Sequence, residues 1–359
     1  MMIPLAITFV LTYRCNLNCS YCYQVRNEGS MDFMTAKSTI DYFCDQDDRH
    51  VVINFYGGEP FLEFDLMKRI VRYATERYKT KNIRPDFTVT TNGTLLDEKK
   101  VMFCIHHGVK IYLSIDGTKQ AHELGRGQGS FSEMKRILAL FRDFHDFPLN
   151  VCSLITPDNV RFLFQSVKYL VSLGTAELRL NFDYDREWEK ESLESLTQQY
   201  RKAYRYLVQY KAQGSEISFK EFRPPDLLQP VFQCGAGRNR FSVTPSGDLY
   251  GCSVLIPWSK RSVEKRTTNN FSNFCLGHIS TLSKETLKIR LNILFSDDRL
   301  SGQYFRYTNR EKCVNCDYIM QCGICPVHSL INSEDVFLVP IWVCEIQKIL
   351  FKIGRELAS

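Results

Sequence analysis

Ten of the fourteen cysteines in this 359-residue sequence fall into two tightly spaced sets, and that spacing constrains the fold more than any other feature. The opening stretch, MMIPLAITFVL, is apolar. No Lys or Arg precedes it and no small-residue cleavage site follows, so it reads as a buried strand rather than a signal peptide. Cysteines without a secretory signal point to a reducing, cytoplasmic compartment, where disulfides are rare and clustered thiolates serve as metal ligands. The others, Cys44, Cys104, Cys152 and Cys275, stand in apolar or irregular context and read as buried structural residues.

No apolar run reaches roughly 18 residues, the length a membrane span needs, so no membrane partner is expected. The formal charge of +6 comes from 46 basic and 40 acidic residues spread along the chain. Only Lys260 to Arg266 is locally basic, and it lacks the interleaved aromatics of a base-stacking groove. It reads as a solvated loop, and nucleic acid is not expected as a partner.

Up to about residue 182 the chain alternates short β-branched or apolar runs with helical periodicity. Strands are expected at Ile7–Leu11, Val51–Phe55, Phe87–Thr91, Lys110–Ile115, Leu149–Ile155 and Leu178–Phe182. Apolar stripes such as Met67, Val71, Ala74 and Tyr78, or Met134, Ile137, Leu138 and Phe141, mark amphipathic helices between them. A last helix is expected from Leu193 to Tyr210. Six βα units in series imply an α/β fold with a parallel sheet, a partial (β/α)6 barrel whose site lies at the C-terminal strand ends. The alternation stops after about Lys211, and Arg223-Pro224-Pro225 marks a linker. The expected organisation is a barrel over 1–215, a linker over 216–232 and a loop-rich segment over 233–359 that draws its order from metal sites.

Cys15, Cys19 and Cys22 form C-x3-C-x2-C directly after the first strand. Three thiolates on one loop can hold three irons of a [4Fe–4S] cube and leave the fourth open. Zinc competes for such a loop, but a structural zinc site wants four closed ligands and no fourth Cys or His follows nearby. Tyr21 precedes the last of the three. Further along, Tyr56-Gly57-Gly58-Glu59-Pro60 ends the second strand, Thr91-Asn92-Gly93 the third, and Ser114-Ile115-Asp116-Gly117 the fourth; Arg126 follows in GRGQGSF.

Together these residues resemble the radical S-adenosylmethionine (radical SAM) superfamily, over roughly residues 5–210. The resemblance implies a cluster on Cys15, Cys19 and Cys22 that chelates AdoMet. Gly57, Gly58 and Glu59 would bind the methionine amino group, and Ser114 and Asp116 would contact the ribose and carboxylate. Arg126 would pair with the AdoMet carboxylate, and Tyr21 and Asn92 would complete the cofactor contacts.

The second set is Cys234-x12-Gly247-x4-Cys252, then Cys313-x2-Cys316-x5-Cys322-x2-Cys325, then Cys344. It resembles the SPASM extension of radical SAM enzymes, which carries two auxiliary [4Fe–4S] clusters, with one residue fewer between Cys322 and Cys325 than the usual pattern. The resemblance implies an outer cluster on Cys313, Cys316, Cys322 and Cys344 and an inner one on Cys234, Cys252 and Cys325, with Cys275 a candidate fourth ligand. A zinc ribbon on Cys313, Cys316, Cys322 and Cys325 is the competing reading.

The resemblance implies an enzyme that makes a 5′-deoxyadenosyl radical to cross-link or oxidise a side chain of a ribosomally made peptide or protein. The alternatives are an anaerobic sulfatase-maturing enzyme, or a maturase of a small redox cofactor or amine dehydrogenase subunit. In sulfatase-maturing relatives an Asp base usually follows the second SPASM cysteine; Ser253 stands there in this sequence. The implied partners are a precursor peptide or protein and an electron donor such as a flavodoxin or ferredoxin. The first strand begins within a few residues of Met1, so a leader would be read by a separate protein, by the enzyme's own surface, or not at all. Asp183 and Asp185, at the end of the sixth strand, are candidate catalytic carboxylates.

Overall fold

The computed structural model describes residues 4–24, 26–46, 49–144, 147–215, 217–219, 235–257, 274–295, 313, 315–318, 325–333 and 338–358. The chain forms two compact units. The first takes Met1–Asn16, Tyr23–Tyr112 and Gly235–Asp297; the second takes Leu17–Cys22, Leu113–Cys234 and Asp298–Ser359. Both units therefore draw on residues from either side of the expected linker, most of which lies outside the described residues.

The first unit is built on β1 (Leu5–Thr12), β2 (Val51–Gly57) and β3 (Asp86–Thr91), with the start of β4 (Val109–Ser114). Helices α1 (Phe33–Gln46), α2 (Phe64–Lys79) and α3 (Glu98–His107) connect them. β1 pairs in parallel with β2, and β2 with β3, as strands joined by helical crossovers must. In α2 the residues at three- and four-residue spacing, Met67, Ile70, Val71, Ala74 and Tyr78, are all fully buried. α3, which no apolar stripe announced, is defined by its ends. The Asp97 side chain accepts from the Lys100 N–H, and Gly108, at φ 66°, closes the last turn on Cys104 and Ile105.

The other edge of β1 carries a correction to the loop-rich expectation. β8 (Arg240–Val243) pairs in parallel with β1 from Ala6 to Phe9, followed by antiparallel β9 (Asp248–Tyr250) and β10 (Cys275–His278). An uncovered edge leaves a row of unpaired N–H and C=O groups. β8 satisfies it and buries Phe241 and Val243. A helix, α8 (Lys284–Phe295), follows.

The second unit contains the end of β4, then α4 (Lys119–Arg126), α5 (Ser130–Asp143), β5 (Asn150–Ile155), α6 (Leu163–Ser172), β6 (Glu177–Phe182) and α7 (Lys190–Ala212). A two-residue strand, β7 (Ser218–Phe219), pairs in parallel with β6, as β6 does with β5. Two C-terminal helices, α9 (Pro326–Ser333) and α10 (Ile341–Ala358), were not expected. α10 earns its order by packing: Val343, Ile346 and Ile353 are at most 2% exposed, and the helix lies against α7. Among the described residues no helix is long and apolar enough to cross a membrane. Cys44 and Cys104 are buried as expected, whereas Cys152 and Cys275 are only partly so. The basic stretch at 260–266 lies outside the described residues.

Candidate active site

Within the first unit, Gly57 and Gly58 pack against the chain that leads into Cys15. A Cβ on Gly57, at φ 132°, would fall 2.3 Å from the Thr12 carbonyl, and one on Gly58 would fall 2.0 Å from that of Arg14. The Gly58 and Glu59 N–H groups donate to those same two carbonyls, each at 2.9 Å. Here the glycines admit the cysteine loop's own backbone, a different use of the missing side chain from the ligand approach that the motif implied. Glu59 is fully buried. Its Oε1 accepts from the Phe61 N–H at 3.0 Å and the Thr91 hydroxyl at 2.7 Å, and its Oε2 accepts from the Asn92 N–H at 2.9 Å. One carboxylate therefore ties the end of β2 to the end of β3. Asn92 carries the chain of contacts onward: its Nδ2 donates to Asn16 Oδ1 at 2.9 Å and to Cys15 Sγ at 3.9 Å. Asn16 and Thr91 were not singled out for contact roles, though both stand inside or beside quoted motifs.

Within the second unit, the rest of the cysteine loop rests on α4. The Ser20 N–H donates to the Gly125 carbonyl at 2.8 Å. The Tyr21 ring lies where a Cβ on Gly125 would be, 2.3 Å away, so only glycine lets the loop seat there. The Tyr21 hydroxyl donates to Asp116 Oδ2 at 2.5 Å. Arg126 donates to both oxygens of the same carboxylate, at 2.9 and 3.1 Å, and the Leu154 N–H adds a fourth bond at 3.2 Å. The Asp116 side chain is wholly enclosed and that of Arg126 is 9% exposed. Burial opposes the Arg126 charge, but Asp116 and Tyr21 outweigh it and raise its pKa. Burial also pushes the Tyr21 phenol well above its usual range, against the pull of Arg126. Asp116 and Arg126, read from sequence as cofactor contacts, thus satisfy each other inside the protein. Ser114 ends β4 half-buried. His122, missed from the sequence, accepts from the Asp116 N–H at 3.4 Å; burial and then Arg126 lower its pKa to about 4.

Residues 9–157 match the family described as the Radical SAM superfamily. Over that stretch the chain matches a radical SAM domain. It is 34% identical over 188 residues to an uncharacterised protein of Methanocaldococcus jannaschii, which spans 51% of this chain and 63% of that relative. The chain thus covers less than two thirds of that relative's length. It is 25% identical over 283 residues to a cysteine-type anaerobic sulfatase-maturating enzyme of Clostridium perfringens, 70% of this chain and 75% of the relative. A solved structure of native anSMEcpe with bound AdoMet and Cp18Cys peptide matches 99% of this chain and 97% of its own, at TM-score 0.76 and 19% identity. That likeness carries the fold: α/β, with the parallel strands of a partial barrel.

The radical SAM loop fits the cluster that its family implies. Cys15, Cys19 and Cys22 form no disulfide, each is half-buried, and the Asn92 amide donates toward the first. Soft thiolates with a hydrogen-bond donor at the sulfur suit an iron–sulfur cube. Of the C-terminal set, Cys234 and Cys322 lie outside the described residues. Burial raises the Cys344 pKa, and Cys313 and Cys316 lie near enough to add to it. These three members of the expected outer set are therefore neighbours within the second unit. Cys252 precedes the short 3-10 turn Ser253–Leu255 in the first unit, and Cys325 directly precedes α9. Among the described residues no three His, Cys, Asp or Glu side chains form a coordination-ready set.

The end of β6 is more constrained than its sequence implied. Asp183 Oδ1 accepts from the Asp185 N–H at 3.1 Å, and its Oδ2 pairs with Arg186 at 2.8 Å. It closes its own turn instead of capping α7, whose N-cap residue is Glu189. Asp185 Oδ1 lies 2.7 Å from His328 Nδ1. The carbonyl of Tyr184, between them, accepts from Asn332 at 3.1 Å and from the Trp342 indole at 3.3 Å. His328 was missed from the sequence. Its only signal was position, three residues after Cys325 on the first turn of α9.

Proposed function

We propose that this chain is a radical SAM enzyme that modifies a side chain of a ribosomally made peptide or protein. The observation that carries the reading is the seating of the cysteine loop. In one unit Gly57 and Gly58 take the backbone that enters Cys15, and in the other Gly125 takes the Tyr21 ring. When bound, the cluster and AdoMet would supply reductive cleavage of the sulfonium and a radical able to abstract hydrogen from a C–H bond. The chain's own part is placement. Glu59 and Asn92 hold the strand ends, Asp116 and Arg126 fix the loop through Tyr21, and Asn92 donates to the Cys15 sulfur. Gly57, Gly58, Glu59, Ser114, Asp116 and Arg126 are proposed to border AdoMet, with the buried side chains of Glu59, Asp116 and Arg126 acting through these bonds.

The reading extends to two auxiliary clusters on Cys234, Cys252, Cys313, Cys316, Cys322, Cys325 and Cys344, reduction by a flavodoxin or ferredoxin, and a cytoplasmic site of action. A separate leader-binding protein belongs to the same proposal. Asp185 is proposed to act at the substrate and Asp183 to hold it there.

The test is anaerobic turnover of the reconstituted protein with dithionite and AdoMet. Release of 5′-deoxyadenosine supports the reading; a protein with its clusters in place that releases none overturns it. In the Asp185→Asn variant 5′-deoxyadenosine should accumulate without modified peptide.

A second reading, oxidation of a sulfatase cysteine, is favoured by the similarity to the sulfatase-maturating enzyme over 70% of the chain. Ser253 in place of the expected Asp argues against it. The intact mass of a sulfatase peptide bearing the target cysteine, after incubation with the enzyme, separates the two.

A further inference from the structure

The second unit contains a cavity of about 410 Å³ among β6, α7, α9 and α10. The rings of Phe182, Tyr184, Tyr200, Tyr204 and Phe351 line it, and His328 stands on its wall. Among the described residues the imidazole is held from one side. Nδ1 is 2.7 Å from Asp185 Oδ1, and the Tyr184 ring meets it edge-on at 5.5 Å. An ionised Asp185 can only accept, so it holds a proton on Nδ1, and in the neutral imidazole that leaves the lone pair on Nε2. Among the described residues Nε2 has no hydrogen-bond partner.

Gly354 also borders this cavity, in the interior of α10. A glycine there costs a helix about 1 kcal/mol relative to alanine. Close packing does not require it, since a Cβ on Gly354 would meet nothing within 4 Å. Its effect is to leave the cavity open. The Tyr184 hydroxyl is fixed by Gln347 Nε2 at 2.7 Å, which holds one aromatic wall in place.

We propose that this cavity binds an aromatic ring that bears a hydrogen-bond donor, a phenol or an indole, with the donor bonded to His328 Nε2. Aromatic walls recognise the flat face and edge of such a ring, and one oriented acceptor selects the N–H or O–H at its rim. Resting on the proposed peptide-modifying function, the natural occupant is a tyrosine or tryptophan side chain of the substrate peptide, which would anchor it beside Asp185. Beside its proposed role at the substrate, Asp185 then also orients His328, and His328 is a binding residue.

The reconstituted full-length protein is titrated by NMR with p-cresol, 3-methylindole and toluene. At least one of the first two should bind about tenfold more tightly than toluene, the worth of one net hydrogen bond; which one binds distinguishes the phenol from the indole. His328→Phe should remove that preference. His328→Gln, whose amide oxygen still accepts, should retain most of it. Gly354→Leu should exclude all three probes while leaving the thermal transition as high as in the parent. The proposal is overturned if toluene binds as well as both donors, if no probe binds, or if folded Gly354→Leu binds like the parent. Probe binding needs no turnover. A protein that binds p-cresol yet releases no 5′-deoxyadenosine therefore sinks the radical function and leaves the cavity standing, and the converse result does the opposite.

Discussion

Removing the Glu59 carboxylate would leave three donors, the Phe61 and Asn92 N–H groups and the Thr91 hydroxyl, buried without that acceptor. Each such orphan costs about 1–3 kcal/mol. Glu59→Ala is therefore expected to lower the unfolding free energy by about 3 kcal/mol or more, and Glu59→Gln, which keeps one acceptor oxygen, by less. AdoMet affinity should fall in both, with the iron content unchanged, because Glu59 is proposed to hold no iron. Urea unfolding beside equilibrium AdoMet binding checks this; a Glu59→Ala protein as stable as the parent would refute the bracing role. Gly58 makes a sharper case. Alanine there would drive a methyl to 2.0 Å from the Arg14 carbonyl, and backbone cannot yield as a flexible side chain can. The chain leading into Cys15 must move instead. Gly58→Ala should lose about four irons, one cube, while its far-UV circular dichroism stays like that of the parent.

At the scale of the element, α4 carries His122, Gly125 and Arg126 in one turn and a half, and its buried histidine makes it sensitive to acid. The His122 pKa is lowered from 6.5 to about 4 by burial. Between those values the unfolded chain takes up a proton that the native protein refuses, so stability is lost as pH falls from about 6.5 to 4 and the loss is complete below that. The shift corresponds to about 3 kcal/mol. His122→Phe should flatten this part of the pH–stability curve, measured by denaturant midpoints from pH 7 to 4; an unchanged slope would show that another group titrates there. Elements of this kind were unevenly legible in the sequence. The six strands were read to within about two residues at each end because each buries alternate or continuous apolar residues, as Val51–Gly57 does. α4 was missed, and α3 was implied only by the count of βα units, because caps and short amphipathic turns, such as Thr118 accepting from the Ala121 N–H, leave little apolar period to detect. α10 does carry a stripe in Val343, Ile346, Leu350 and Ile353, but the neighbouring cysteines drew the segment toward a metal-ordered loop. Motif residues could be located from sequence, but their partners could not. Asp116 and Arg126 are ten residues apart, and Asp185 and His328 are 143 apart, and only folding makes either pair.

At the scale of the whole molecule, the cysteine count becomes an iron count. Ten motif cysteines divided among three cubes predict about twelve irons in the anaerobically reconstituted protein. Replacing Cys15, Cys19 and Cys22 together by alanine should leave about eight irons and abolish 5′-deoxyadenosine release. Replacing Cys313 and Cys316 should also leave about eight, because the outer cube would lose two of its four thiolates. In that variant the AdoMet loop is untouched: its seats on Gly57, Gly58 and Gly125 lie elsewhere in the chain. Release of 5′-deoxyadenosine should therefore continue while formation of modified peptide fails. The zinc-ribbon alternative predicts differently at every step. Cys313, Cys316, Cys322 and Cys325 would hold one zinc and no iron, so the parent would carry about four irons and one tightly bound zinc. The Cys313 and Cys316 replacements would then release zinc and leave the iron count unchanged. Metal analysis of the parent and the two multiple variants, with 5′-deoxyadenosine measured on the same samples, decides between the assignments. A parent with four irons and bound zinc would remove the auxiliary clusters from the proposal.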